Sequence, residues 1–197
     1  MNEEQLSELL LQSLEHERGG VQVYEMAVKC AVRNDLRDEW KKYLKQTREH
    51  ERILVELCGT LGLDAEEETP GRAIVRGLGK SLVTAMREAM EAGDPAAAQR
   101  VACECIVLAE TKDHLDWQLI GKCAEALQGP AADALKQAYD AVEDQEDEHL
   151  YHTKGWCREL WVESLGLPAM LPPPEERRQV KTAIGAARAE AAADLER

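Results

Sequence analysis

The sequence predicts an all-α chain. Four long helices form two antiparallel hairpins joined by a long helical crossover, and a further C-terminal helix follows. Three observations carry this prediction. Ala, Leu, Glu, Lys, Arg and Gln, which lose least on entering a helix, dominate the chain, while aromatics are scarce and Phe is absent. Apolar residues recur at intervals of three and four through most of the chain. Gly, Pro, Asn and Asp gather where that period breaks.

The elements follow in order. Asn2 caps the first helix, with Gln5 three residues on. Leu6, Leu10, Leu14, Val21, Tyr24, Val28 and Ala31 mark its stripe, to about Arg33. Asn34-Asp35 is a short turn signal. The second helix carries Leu36, Trp40, Tyr43, Ile53, Leu54, Leu57 and Leu61 and stops near Gly62. So short a turn makes the two helices antiparallel neighbours. The crossover spans about residues 64–93: a polar loop, "DAEEETP", then a helix over 71–91 with Ile74, Leu78, Leu82, Val83, Met86 and Met90 on one face. Asp94 caps and Pro95 opens the third long helix, which runs to about Leu127 with Val107, Trp117 and Ile120 on its stripe. "QGPAAD" breaks the chain before the last long helix, from about Pro130 to Leu165. "GLPAMLPPPEE" is a proline-rich linker, and the Ala-rich stretch 175–195 reads as a weakly amphipathic helix. The bundle is thus expected over 1–167, with linker and tail over 168–197.

Composition bounds the partners. A net charge of −14 disfavours nucleic acid and anionic membrane surfaces and attracts cations. No apolar run approaches the roughly 18 residues of a membrane span, and the acidic "MNEEQLSELL" does not read as a signal peptide. The cysteines at 30, 58, 103, 105, 123 and 157 form no C-x-x-C pair and sit among apolar helical positions. They read as small buried hydrophobes in a reducing compartment. A soluble cytoplasmic protein is expected, with a homodimer as one possible assembly.

The informative residues are charged ones at positions where the period calls for apolar ones. Glu17 lies three after Leu14 and seven before Tyr24. His50 lies seven after Tyr43 and four before Leu54. Glu110 lies three after Val107 and seven before Trp117, with Asp113 and His114 one turn on. The last stripe reads Val142, Glu146, His149, Thr153, Trp156 and Leu160, with Glu143 at its edge. An ionised group cannot be buried alone, so it must pair, protonate or bind a metal. No core-facing Lys or Arg accompanies these carboxylates, whereas a shared divalent cation would neutralise them together. Carboxylate oxygen with imidazole nitrogen suits iron or manganese, with zinc a further candidate. Within the acidic run "EDQEDEHLYH", the helical period turns Glu143, Glu146 and His149 inward and Asp144, Asp147 and Glu148 outward. His16, His114 and His152 are expected beside the site or at the surface. Spacing repeats too: Glu17 to His50, Glu110 to Glu143 and Asp113 to Glu146 each span 33 residues, so the halves superpose at an offset of 93.

These motifs resemble the ferritin-like superfamily over roughly residues 5–165. In its bacterioferritins and rubrerythrins each half carries a helix Glu, then Glu-x-x-His about 33 residues later, and an aromatic often stands seven after the first Glu. Glu17 matches the first glutamate, Tyr24 the aromatic and Glu143 the bridging glutamate of the fourth helix. Glu110 and Asp113 resemble the third-helix Glu-x-x-Glu. The second helix departs from the pattern, since His50 occupies the glutamate position and Ile53 that of the histidine. "LKQTREH" with "ETKD" is similar to a small bacterial stress-associated ferritin-like family with "L-E-E-T-x-x-Q" in its second helix, in which Thr47 would match the Thr and His50 the Gln. The resemblance implies a di-iron centre that reacts with dioxygen or peroxide. Glu110 and Glu143 would be bridging or terminal ligands, Glu17 and His50 would complete one ion, and Asp113, Glu146 and His149 the other. Tyr24, Thr47 and Trp117 would stand beside the ligands. The altered second helix equally suits a degenerate scaffold without redox activity, acting through structure or interaction.

Overall fold

The computed structural model describes residues 1–169, all helix and connection with no strand among them. The expected C-terminal helix lies outside the described residues. The helices are α1 (Glu3–Cys30), α2 (Asn34–Thr60), α3 (Pro70–Glu91), α4 (Pro95–Ala126) and α5 (Pro130–Ser164). Their starts follow from side-chain chemistry. Asn2 accepts from the Gln5 amide, Thr69 from that of Arg72, and Asp94 from those of Ala96 and Ala97, so orphan first-turn donors are satisfied. α2 ends in a Schellman turn: Gly62 has φ 75°, the Leu63 amide reaches the Cys58 carbonyl at 2.9 Å and that of Gly62 reaches Gly59 at 3.2 Å. Gly166 closes α5 in the same way.

α1 packs on α2, α2 on α5, α5 on α4 and α4 back on α1, which closes a ring of four helices. α3, the crossover, lies across α1 and α4. Two apolar cores fill the ring. One gathers Leu10, Leu14, Leu54, Leu57, Trp117, Ile120, Leu135 and Val142. The other gathers Tyr24, Ala27, Leu36, Trp40, Ile106, Trp156 and Leu160. α1 and α5 run from the first core to the second, and α2 and α4 run the other way. Neighbours around the ring are therefore antiparallel.

α3 departs from its expected stripe. Val75 and Met86 are buried, but Ile74, Leu78 and Met90 are exposed. Its anchor is ionic rather than apolar. Arg72, fully buried, donates to Glu15 Oε2 of α1 (2.9 Å) and to the carbonyls of Ala65 (2.9 Å) and Glu67 (2.7 Å). Arg76 adds a second hand on Glu15 at 2.6 Å. Where α1 and α3 cross, Gly19 and Gly79 meet, and a Cβ on Gly79 would stand 3.4 Å from the Gly19 Cα. Among the described residues no helix is long and apolar enough to cross a membrane.

Candidate metal centre

A polar layer lies midway along the ring, between the two apolar cores. Glu17 of α1, His50 of α2, Glu110 and Asp113 of α4, and Glu146 and His149 of α5 all meet there, each at most 4 % exposed. One atom from each of His50, Glu146 and His149 lies within 4.8 Å of the other two, and the same holds for Glu17, Asp113 and Glu146. His50 Nδ1 is 3.0 Å from Glu146 Oε1 and 3.6 Å from Glu17 Oε1. His149 Nδ1 is 3.4 Å from Glu146 Oε1 and 3.6 Å from Glu110 Oε2. The two imidazoles stack at 5.6 Å between ring centroids.

Neighbouring side chains fix these groups from outside. The Tyr24 hydroxyl donates to Glu110 Oε1 (2.7 Å), and the Trp117 indole donates to Glu17 Oε1 (2.9 Å). Gln145 Oε1 meets His50 Nε2 (3.2 Å), and Gln46 Oε1 meets His149 Nε2 (3.1 Å). An amide oxygen only accepts, so both Nε2 atoms carry a proton and both Nδ1 atoms face the cluster. The amide nitrogen of Gln145 is held by the Ala141 carbonyl (3.3 Å), which fixes that orientation. A lone pair 3.0 Å from a carboxylate oxygen repels it unless a proton or a cation stands between them. Glu17 Oε2, His50 Nδ1, Glu110 Oε2, Asp113 Oδ1, both Glu146 oxygens and His149 Nδ1 are all buried without a hydrogen-bond partner.

The charge balance sharpens this. Among the described residues, no Lys or Arg pairs with any of the four carboxylates. Protonating both imidazoles would supply two positive charges against four negative ones. The titration directions record the shortfall. Burial raises Glu17 to about 7, with Glu146 adding to it and His50 opposing it. Burial, then Glu146, Glu17 and Glu110, hold Asp113 well above the carboxylate range, and Glu110 is raised for similar reasons. Burial opposes charge on His50 and His149 too, but the facing carboxylates win and lift them to about 10 and about 9. Glu146 sits between both imidazoles, which outweigh its burial and bring it down to about 2. Two divalent cations with neutral imidazoles would balance the four carboxylates in full.

The bonds reveal an internal two-fold. Tyr24 of α1 holds Glu110 of α4, and Trp117 of α4 holds Glu17 of α1, so α1 and α4 correspond at the expected offset of 93. Gln46 of α2 holds His149 of α5, and Gln145 of α5 holds His50 of α2. That correspondence is at 99, and it corrects the expected pairing: the counterpart of His50 is His149, not Glu143. Glu143 itself is exposed and stays out of the cluster. It stands on the flank of α5 that faces α4, while the inward line runs through Val142, Glu146, His149 and Thr153. The other expected ligands come together, regrouped so that His50 joins His149 and Glu146, while Asp113 joins Glu17. Thr47 donates only to the Tyr43 carbonyl of its own helix (3.0 Å). His16 contacts the Ala109 carbonyl (3.0 Å) behind the ligands, His114 contacts Asp147 (3.3 Å), and His152 contacts Glu39 (2.9 Å).

The two-fold also shows what one half lacks. Asp113 corresponds to Gly20, and Glu146 to Thr47. A Cβ on Gly20 would stand 3.2 Å from Thr47 Cγ2, so the two small residues close the place where the other half carries two carboxylates. Gln46 and Gln145 were missed in the sequence. Their shared signal was there, since each stands four residues before its half's histidine.

No family model, curated protein or solved structure matches the chain.

Proposed function

We propose that this chain is a ferritin-like metal protein that holds two divalent cations, iron foremost and manganese or zinc as alternatives, within its ring of four helices. The observation that carries the reading is the convergence of four buried carboxylates and two imidazole Nδ1 atoms with, among the described residues, no Lys or Arg to neutralise them. Carboxylate oxygen with imidazole nitrogen is the donor set of di-metal helical bundles. Glu17, Asp113 and Glu146 would hold one ion, and His50, His149, Glu110 and Glu146 the other. Bound iron would supply one-electron chemistry toward dioxygen or peroxide. The chain's own groups prepare the place. Gln46 and Gln145 hold the tautomers, as outer partners of metal-bound imidazoles do. Tyr24 and Trp117 each fix one carboxylate oxygen and leave the other buried without a hydrogen-bond partner.

A scaffold without redox activity is the rival reading. One observation favours it: Gly20 and Thr47 stand where a fully duplicated site would carry carboxylates. Metal analysis separates the metal reading from a scaffold that binds none. The full chain is expressed in iron-replete medium, purified without chelator, then loaded anaerobically with Fe(II), Mn(II) or Co(II). About two ions per chain are expected. No ion bound after loading would overturn the metal reading.

A further inference from the structure

A cleft of about 210 Å3 opens between α4 and α5, lined by His114, Gln118, Glu143, Asp147 and Tyr151 among others. Glu146 also lines it, although that side chain is only 1 % exposed and neither oxygen has a hydrogen-bond partner. The cleft thus joins the outside to a carboxylate of the centre. Clefts of similar size between α2 and α5, and between α1, α3 and α4, touch none of the six centre residues. Along the ring axis the two apolar cores block the way.

The walls have the polarity a cation would follow. Glu143 and Asp147 stand one helical turn apart on α5, both open to solvent, and among the described residues neither pairs with Lys or Arg. The Gln118 amide donates to His114 Nε2 (2.8 Å), so the imidazole proton is on Nδ1, directed at Asp147 Oδ1 3.3 Å away. That contact orients Asp147 and leaves its charge in place. Tyr139 hydrogen-bonds to Glu143. Lys154 sits over the Tyr151 ring, 5.7 Å from its centroid, and does not line the cleft. A narrow opening lined by one sign of charge concentrates ions of the other sign.

We propose that this cleft is the port of the centre: Glu143 and Asp147 form an outer, transient site that takes a divalent cation from solution and hands it to Glu146. The proposal rests on the metal reading above. The test is anaerobic stopped-flow loading of the metal-depleted full chain with Co(II), followed by its visible absorbance, with stoichiometry read at saturation. In E143Q/D147N the loading rate should fall about tenfold or more at low ionic strength, as the loss of a focusing field predicts. Stoichiometry at saturation should not change. The control E88Q/E91Q, which removes the same charge from the exposed end of α3, should load like the parent. Equal loading by E143Q/D147N and the parent, or an equal slowing in the control, would overturn the port and leave the metal reading standing. A fall in stoichiometry would make Glu143 and Asp147 ligands of the centre and overturn the transit role. A parent that takes up no Co(II) would overturn both.

Discussion

Replacing Asp113 by Asn should stabilise the metal-free protein and weaken its response to metal. Asp113 is 4 % exposed, its Oδ1 has no hydrogen-bond partner, and Glu146, Glu17 and Glu110 all act against its charge. Asn keeps the shape, cannot ionise and brings an amide that can donate to the facing carboxylates. Relief of a buried polar group without a partner is worth about 1–3 kcal/mol on the scale of protein substitutions. For a chain of this length that is a rise in Tm of about 2–12 °C. Cation binding acts in the opposite direction: at a hundred times its dissociation constant, a ligand adds about 2.7 kcal/mol. The two proteins should therefore exchange rank. In chelator D113N melts above the parent, and in saturating Co(II) or Mn(II) the parent gains more than D113N, which keeps only the group of His50, His149 and Glu146 intact. Thermal unfolding followed by circular dichroism in both buffers reads this. A D113N that melts below the parent in chelator, or a parent indifferent to metal, would refute the charge-balance reasoning.

Further outcomes follow from other contacts. Gln46→Leu and Gln145→Leu should each weaken cation binding 10- to 100-fold, the usual cost of losing an outer partner of a metal-bound imidazole; titration calorimetry showing parental affinity in both would break the tautomer assignment. Arg72→Ala should cost about 3–5 kcal/mol in urea unfolding because it leaves the buried Glu15 short of charge, whereas Arg76→Ala, whose side chain is 34 % exposed, should cost about 1 kcal/mol or less; equal costs would argue against the anchor. Glu39 lies away from the centre, and burial opposes its charge, but His152, Tyr43 and Trp156 outweigh that and hold its pKa below the usual value. A depressed pKa stabilises above the unfolded value of 4.5 and loses that stabilisation as pH falls through the folded value. Glu39→Leu should thus be less stable than the parent by about 1–3 kcal/mol at pH 7, with the gap closing below about pH 4.5. A gap independent of pH would assign the effect to packing alone.

Much of the fold was legible because helix period and punctuation are local. Asn2, Pro95, Pro130 and the Gly62 turn fall where caps and breaks were expected, and every long helix ends within three residues of its expected limit. The buried polar layer was legible for the same reason. Glu17, His50, Glu110, Asp113, Glu146 and His149 interrupt apolar stripes, and the structure buries all six. Glu143 was misplaced because period gives a face while the correspondence between halves depends on arm length. Glu17 lies 13 residues before the end of α1 and His50 lies 16 after the start of α2; Glu110 lies 16 before the end of α4 and His149 lies 19 after the start of α5. Each arm of the second hairpin is therefore three residues longer, about 4.5 Å of helix. The 33-residue spacing from Glu110 lands on Glu143, short of the true counterpart of His50. On α3 the exposure of Ile74 and Leu78 was not legible, because the anchor is a buried guanidinium, which no apolar period records.

The Arg72 anchor bears on how the molecule breathes. A crossover helix with part of its apolar face in water would ordinarily be the first segment to detach. Here detachment strips a guanidinium from a carboxylate and from two carbonyls at once. Amide hydrogens along the middle of α3 should exchange together with those of α1, as one cooperative unit, rather than ahead of them.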